Sequence, residues 1–227
     1  MTTSIVVTES VDLNKTKAPA LPFAPVEYDR QYADTLNNIL RQYFNTLDNF
    51  VGQLTLSAGG SGAGVFLPNG AFRSDDPQTA ANTTTAYPIT FSATDYSDGI
   101  TLESSSHLKV AYKGRYNLQF SVQLQNLSNA PQDIDIWLRK NGVTTGGGVS
   151  NTNSRFGLAA RKSTGVPFHL IAGLNLFIDL EADDYVELIW CTTDTTTSII
   201  NYAVGSSPTR PAIPSVIASM SFVSAIV

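Results

Sequence analysis

The chain has 227 residues, of which 42% are hydrophobic and only 15% are charged, and its formal net charge is −5. Threonine, serine, asparagine and glutamine supply most of its polarity, together with 16 glycines, and this composition is typical of a protein rich in β-strands and turns. A mildly acidic chain lacks the clustered Lys and Arg side chains that bind phosphate backbones, so we expect no nucleic-acid partner. The single cysteine, Cys191, leaves no possibility of a disulfide within the chain.

Residues 1–25 are predicted to form an extended arm, because closely spaced prolines without amide donors favour open chain from residue 18 onward. The start shows no signal-peptide pattern, and no apolar run approaches the length of a membrane span. We therefore expect assembly in a cytoplasm and no membrane insertion. A disordered tail is the alternative, but the apolar side chains favour docking on another protein. The candidate docking residues are Ile5, Val6, Val7, Leu21 and Phe23.

Residues 26–56 are predicted to form one long amphipathic helix, with Asp29 at its start and no proline inside it. Its apolar residues recur in alternating steps of three and four, which is the pattern of a coiled coil. Bulky aromatic residues in the stripe favour a trimer over a tighter dimer. The alternative is a core helix packed on the β domain of the same chain. The predicted trimer contacts are Leu36, Leu40, Tyr43, Leu47, Phe50 and Leu54.

Residues 57–64 contain a Gly-rich tract, which predicts a flexible linker between the helix and the next domain. Residues 65–227 are predicted to form one all-β domain. Strict apolar–polar alternation from Arg115 to Leu124 indicates a strand with one face on a core. Lys140–Gly142 is a hairpin-turn signal, and short strands separated by turns indicate an antiparallel sandwich or jelly roll.

The sequence contains no strong catalytic or metal-binding motif. The sequence has two histidines, His107 and His169, and three serines, Ser104–Ser106, directly precede the first. It contains no GlyXSerXGly motif of the kind that holds a nucleophilic serine. The paired aspartates 75–76 and 183–184 are better explained as turns than as calcium ligands. We therefore predict that the protein is not an enzyme and binds no metal or cofactor.

Aromatic side chains leave carbohydrate binding open, because an exposed ring can stack on a sugar, although burial is the commoner outcome. The rings considered are Tyr96, Tyr112, Trp137, Trp190 and Tyr202.

Three motifs occur in order along the predicted β domain: GlyArgTyr at Gly114, LysAsnGly at Lys140 and AlaAspAspTyrValGluLeu at Ala182. In this order they resemble the trimeric jelly roll of tumour necrosis factor and of the complement globular heads. Asp183 stands where that family's last motif has glycine, which affects turn geometry more than fold. The resemblance implies a jelly-roll head and a homotrimer.

Residues 25–49 are similar to a helical module near the N-terminus of structural proteins of tailed bacteriophages, notably those of cyanobacteria. In those proteins the module precedes a β domain whose end often reads like residues 209–215 here. This resemblance implies a virion protein that assembles in the host cytoplasm.

Together these observations predict a homotrimeric phage fibre or appendage of the head, neck or tail. The arm would bind other virion proteins, and the head would present loops, with host-surface glycan as the candidate ligand. Phe222 and Ile226, in the apolar C-terminal strand, are predicted to lie at the trimer centre. The alternatives are a capsid-decorating or neck-sealing protein with no receptor role and, with less support, a polysaccharide-modifying enzyme head.

Overall fold

The computed structural model describes residues 19–54, 67–143 and 148–226, with side chains in the helix described as far as residue 48. The chain divides into two compact units, Met1–Phe66 and Leu67–Val227. The first unit contains the helix, and the second contains the β-strands. Among the described residues, no helix is both long enough and apolar enough to span a membrane.

The helix predicted over residues 26–56 extends from Arg30 to Leu54 and is named α1. Asp29 caps it, because its carboxylate Oδ1 accepts a hydrogen bond from the Gln31 amide at 2.8 Å. The predicted stripe lies on one side, where Leu36, Leu40 and the other described stripe residues are half-buried. No described side chain between residues 19 and 48 is buried, so the stripe has no packing partner within the described part of this unit.

The second unit contains two larger antiparallel sheets and a small hairpin. The strands of the first sheet are β1 (Asn69–Ser74), β2 (Gln78–Thr79), β4 (Ala93–Asp98), β7 (Gly114–Asn126), β10 (Phe168–Leu180), β12 (Thr197–Ile199) and β15 (Val216–Ser224). The strands of the second sheet are β3 (Tyr87–Pro88), β5 (Ile100–Glu103), β6 (His107–Val110), β8 (Gln132–Lys140), β9 (Ser154–Leu158) and β11 (Tyr185–Thr192). The hairpin consists of β13 (Gly205–Ser206) and β14 (Thr209–Arg210).

Strand β7 organises the first sheet. One edge pairs with β10 over its full length, and the other edge pairs first with β15 and then with β12. The sheet continues through β1 to β4. In the second sheet the order is β5, β6, β11, β8 and β9. The predicted mainly β, antiparallel architecture is thereby confirmed, and it is consistent with a sandwich.

The core agrees with the alternation read in the sequence. Along β7 every second side chain from Tyr116 to Leu124 is buried, and the residues between them are not. These side chains share one cluster with Leu138 and Trp190 of the second sheet, so the apolar faces of the two sheets form a common core.

Two local predictions need revision. The Lys140–Gly142 turn forms, with positive φ at Asn141 and Gly142, but the next strand begins only at Ser154, so it does not close a tight hairpin. The sequence also predicts a strand over residues 199–204, but β12, the strand in this region, ends at Ile199. Beyond β12, the backbone of Tyr202 exchanges two hydrogen bonds with the backbone of Ile213 and does not pair with a strand of either large sheet.

Candidate functional site

The connections that leave the far ends of β7, β9 and β11 gather at one end of the β unit, which we call the loop end. Asn126, the last residue of β7, pairs with Phe168 on one side and Thr197 on the other. The sheet register therefore brings residues 127–131, 159–167 and 193–196 close together. Surface loops on a rigid sheet are the usual position of binding residues.

Asn126 joins two of these loops, although its side chain is fully buried. Its amide nitrogen donates to the carbonyls of Ala130 at 3.1 Å and Ala159 at 2.9 Å. Its oxygen accepts from the Ser128 amide at 2.8 Å. A buried amide with all these bonds made fixes the backbone of both loops.

A second polar network fixes the 193–196 connection. Asp194 accepts hydrogen bonds from the amide and hydroxyl of Thr196, each at 2.8 Å, and from the Gln132 amide nitrogen at 3.3 Å. Thr197, buried beside it, donates to the Asp194 carbonyl at 2.8 Å. The loop end is therefore a preorganised surface.

Arg161 and Lys162 carry the positive charge of the loop end. The Arg161 amide donates to the Ser128 carbonyl at 2.9 Å, and its guanidinium Nε donates to the Asn129 side-chain oxygen at 2.7 Å. Lys162 begins a tight turn that Val166 closes, and its side chain is exposed. The arginine thus has a fixed position but only a neutral side-chain partner.

Replacing Asn126 with alanine should lower the free energy of unfolding by about 1–3 kcal/mol, because the buried loop backbone groups lose their partner. Urea unfolding would measure this loss. We also expect faster proteolysis within residues 127–131 and 159–167. Asn153→Ala, which changes an exposed side chain outside these loops, is the control. Equal unfolding and proteolysis curves for the Asn126 variant and the wild type would contradict the role given to Asn126.

The Ser106–His107 pair belongs to a different cluster, centred on Glu187. The Glu187 carboxylate is 2% exposed and accepts from the Ser106 hydroxyl at 3.0 Å and from the Arg139 Nε at 2.9 Å. His107 Nε2 lies 3.4 Å from the same carboxylate, and its ring stacks on Tyr185. The acid thus lies between serine and histidine, an order unlike a Ser–His–acid relay, in which histidine is the middle member.

Burial alone would raise the pKa of Glu187. Hydrogen bonds from Arg139 and Ser106, and the charge of Arg139, outweigh it and hold that pKa below its ordinary value. The other histidine, His169, lies at the loop end of β10 and shares a 2.6 Å hydrogen bond with the Tyr202 hydroxyl.

The remaining predicted site residues are dispersed. Leu21 and Phe23 are exposed, at 52% and 100%, whereas Ile5, Val6 and Val7 lie outside the described residues. Leu36, Leu40, Tyr43 and Leu47 lie half-buried on the α1 stripe, and the side chains of Phe50 and Leu54 are outside the described set. Trimer formation by these residues stays a prediction.

In the C-terminal strand, Phe222 faces inward and packs edge-on against Tyr116, while Ile226 lies half-buried past the end of β15. The residues flanking Phe222 in β15 face the other way, and Val223 is 49% exposed. Whether Phe222 and Ile226 contact another copy stays a prediction. Among the five aromatic rings considered for sugar stacking, Tyr96 is exposed at 57% and Trp190 is buried.

The Asp183–Asp184 pair lies at a turn, as predicted, and Asp75–Asp76 lie in the connection between β1 and β2. Asp183 has a positive φ, and Asp184 accepts from the Glu181 amide at 2.7 Å. Across the ranges that the structure describes, no three His, Cys, Asp or Glu side chains are grouped to hold a metal ion. Burial raises the pKa of the Cys191 thiol, which disfavours its reactive thiolate form.

An open groove of about 730 Å³ lies at the opposite end of the β unit, near the start of β7. Phe177 and Val223 line its apolar part. Its two cations are already paired, Arg115 with Asp179 at 2.7 Å and Lys140 with Asp184 at 2.6 Å. At the loop end, by contrast, Arg161 and Lys162 have no carboxylate partner among the residues that the structure describes.

Asn126, Arg139, Arg161 and Glu187 were not predicted from the sequence as site residues. No protein-family model matches the chain, and no curated protein matches it at a significant level. The resemblances to trimeric jelly rolls and to phage structural proteins therefore stay predictions, and the candidate site rests on its own residues.

Proposed function

We propose that the protein is a homotrimeric virion component of a tailed phage, a fibre or appendage. Residues 1–25 dock on other virion proteins, α1 forms a three-stranded coiled coil, and the β unit is a jelly-roll head that binds host-surface glycan. The proposal places the protein in the virion after assembly in the host cytoplasm.

The apolar stripe of α1 is the observation that carries this proposal. Its spacing matches a coiled-coil seam, yet no described side chain of the helix as far as residue 48 is buried. Helices in proteins gain most of their stability by packing an apolar face, so this stripe needs a partner. Copies of the same helix present a matching stripe, and Tyr43 suits a wider seam than that of a dimer.

The head supplies a second support. The outer face of the first sheet exposes Ile171, Phe177, Ile217 and Val223, with exposures of 46–64%. On this face the charges of Arg115 and Asp179 neutralise each other, because the guanidinium donates two hydrogen bonds to the carboxylate. Between β10 and β15, strand β7 presents the uncharged polar residues Asn117, Gln119 and Ser121, so the face combines apolar groups with no unpaired charge, as a surface that meets another chain does.

The strand order supports a jelly-roll head. Strands β1, β15, β7 and β10 are neighbours in one sheet, and β6, β11, β8 and β9 are neighbours in the other. The chain therefore crosses between the sheets repeatedly, as in double-sheet jelly rolls. Crossings of this kind place several loops at one end, where the head would meet its ligand.

The arm is supported by its exposed side chains. Leu21 and Phe23 project from a segment whose Pro22 carbonyl accepts a 3.3 Å hydrogen bond from the Tyr32 hydroxyl. That bond fixes the end of the arm next to α1 and leaves its apolar groups available to another protein.

The solution mass tests the proposal directly. Light scattering should give three chains for the full protein, about threefold the 24.4 kDa of one chain. Residues 67–227, which contain a complete core, should be measured alongside. Three chains in both samples would support trimerisation of the head and the helix. A monomer in both samples would overturn the assembly on which the proposal rests.

A further inference from the structure

The distribution of ion pairs separates the loop end from the rest of the β unit. Residues 67–143 and 148–226 contain ten Lys and Arg side chains. Seven of them pair with carboxylates: Arg73, Lys109, Lys113, Arg115, Arg139, Lys140 and Arg155. Within these ranges, Arg161, Lys162 and Arg210 have no carboxylate within ion-pair distance. Arg210 stands alone in the β13–β14 hairpin, whereas Arg161 and Lys162 are adjacent at the loop end.

Arg161 is the most precisely held of the three. Its backbone bonds Ser128, its Nε bonds Asn129, and the loop on which it stands is fixed by Asn126. With Nε engaged, the two terminal nitrogens of the guanidinium have no hydrogen bond within the described residues. A guanidinium held in this way loses little conformational entropy when it binds a planar or tetrahedral oxyanion.

The carboxylate of the loop end, Asp194, is not an ion-pair partner of this guanidinium. Asp194 is engaged by Gln132 and Thr196, and it forms no ion pair with either cation. The chain as a whole is acidic, with a net charge of −5, so a local excess of cations is the exception on this molecule.

We infer that Arg161 and Lys162 bind an oxyanion, carboxylate or phosphate, carried by an acidic polysaccharide. This inference rests on the proposed glycan-binding function and deepens it by naming the charge of the ligand. Arginine forms paired hydrogen bonds with either group, and exposed Ser163 and Thr164 come directly after Lys162 and offer hydroxyls to a sugar. A polymer that repeats its charge would engage several heads together, so each site need bind only weakly.

The test uses the full chain and three immobilised probes: polygalacturonate for carboxylate, phosphomannan for phosphate and dextran as the neutral polymer. Binding would be measured by biolayer interferometry at low and high salt. Arg161→Ala is the main variant, with Arg161→Lys as the conservative variant. Lys113→Ala is the matched control, because it removes the same charge from a cation paired with Glu181 elsewhere in the head.

We expect at least one acidic probe to bind and dextran not to bind. Arg161→Ala should weaken that binding about tenfold, Arg161→Lys should weaken it less, and Lys113→Ala should change it less than about twofold. The preferred acidic probe identifies the oxyanion. Equal losses for Arg161→Ala and Lys113→Ala would overturn the inference, because bulk charge would then explain binding. Binding of dextran, or of no probe, would also overturn it.

Two controls keep the result interpretable. Thermal melting of each variant would show that lost binding is not lost folding. Light scattering of the same samples separates this inference from the proposed function, because a trimer that binds no acidic probe defeats only the inference. A monomer that binds through Arg161 would defeat the assembly proposal and leave the oxyanion site standing.

Discussion

Replacing Leu40 and Leu47 together with aspartate is expected to reduce the full chain to the oligomeric state of the isolated β unit, with the β unit still folded. Both residues lie on the α1 stripe, seven positions apart, and would occupy equivalent places in the seam. Three copies of each aspartate would meet there, and an uncompensated charge in a buried position costs about 3–5 kcal/mol. Light scattering should show the mass falling about threefold if the head alone does not hold the trimer.

Asn37→Asp and Asn45→Asp together form the matched control. They add the same two charges to exposed positions on the polar side of the same helix and should leave the mass unchanged. The second comparison is the isolated β unit, residues 67–227. If the full-length Leu40/Leu47 variant stays trimeric and the isolated β unit is monomeric, the seam assigned to the helix would be wrong.

The elements that depend on local pattern were predictable from the sequence. The α1 stripe is read from residues three and four apart, and the β7 core face is read from alternation between Tyr116 and Leu124. In each element the apolar side chains lie on one face, which is removed from water when it packs. The spacing of apolar residues along the chain is therefore sufficient to identify both faces. The bounds were less accurate: the sequence predicts a helix from residue 26, but it begins at Arg30, directly after the Asp29 cap.

The candidate site was not predictable in the same way, because its members meet only through sheet register. Asn126 joins loops at Ala130 and Ala159 through its side chain, which is buried. The sequence shows only a polar residue at the end of a strand, and such residues are usually exposed, so its burial could not be predicted. Arg161 differs from the seven paired cations of the β unit in having no carboxylate within ion-pair distance among the described residues, and only the folded arrangement shows which neighbours each cation has. In the sequence, Lys109, Lys113 and Arg115 look like the denser basic cluster, yet all three are paired.

Replacing Glu187 with glutamine is expected to destabilise the β unit by about 3 kcal/mol at neutral pH. The carboxylate is buried and is the partner of Arg139, whose side chain is 21% exposed, so the loss should lie near the lower end of the range for a broken buried ion pair. Urea unfolding of the wild type and the variant would measure it. Glu103→Gln is the matched control, because Glu103 is 50% exposed and solvent screens its pair with Lys109, so that pair contributes little to stability.

The same pair of proteins gives a pH test with a definite sign. The pKa of Glu187 is lowered in the folded protein, so the native state favours the ionised carboxylate more than the unfolded chain does. The stabilisation is therefore complete above the pKa of an unfolded glutamate, about 4.3, and is lost as the pH falls through the lower folded value. The difference in unfolding free energy between wild type and Glu187→Gln should shrink from about pH 5 downward.

This pH dependence separates electrostatic stabilisation from packing. If Glu187 acts only through its shape and the Ser106 hydrogen bond, glutamine should reproduce most of its effect at every pH, because an amide oxygen can accept the same bond. A difference that is large at pH 7 and stays constant down to pH 3 would mean that the ionised carboxylate is not the source of the stability. A difference that disappears on acidification would locate part of the acid sensitivity of the head in the contact between the β5–β6 turn and β11, away from the loop end.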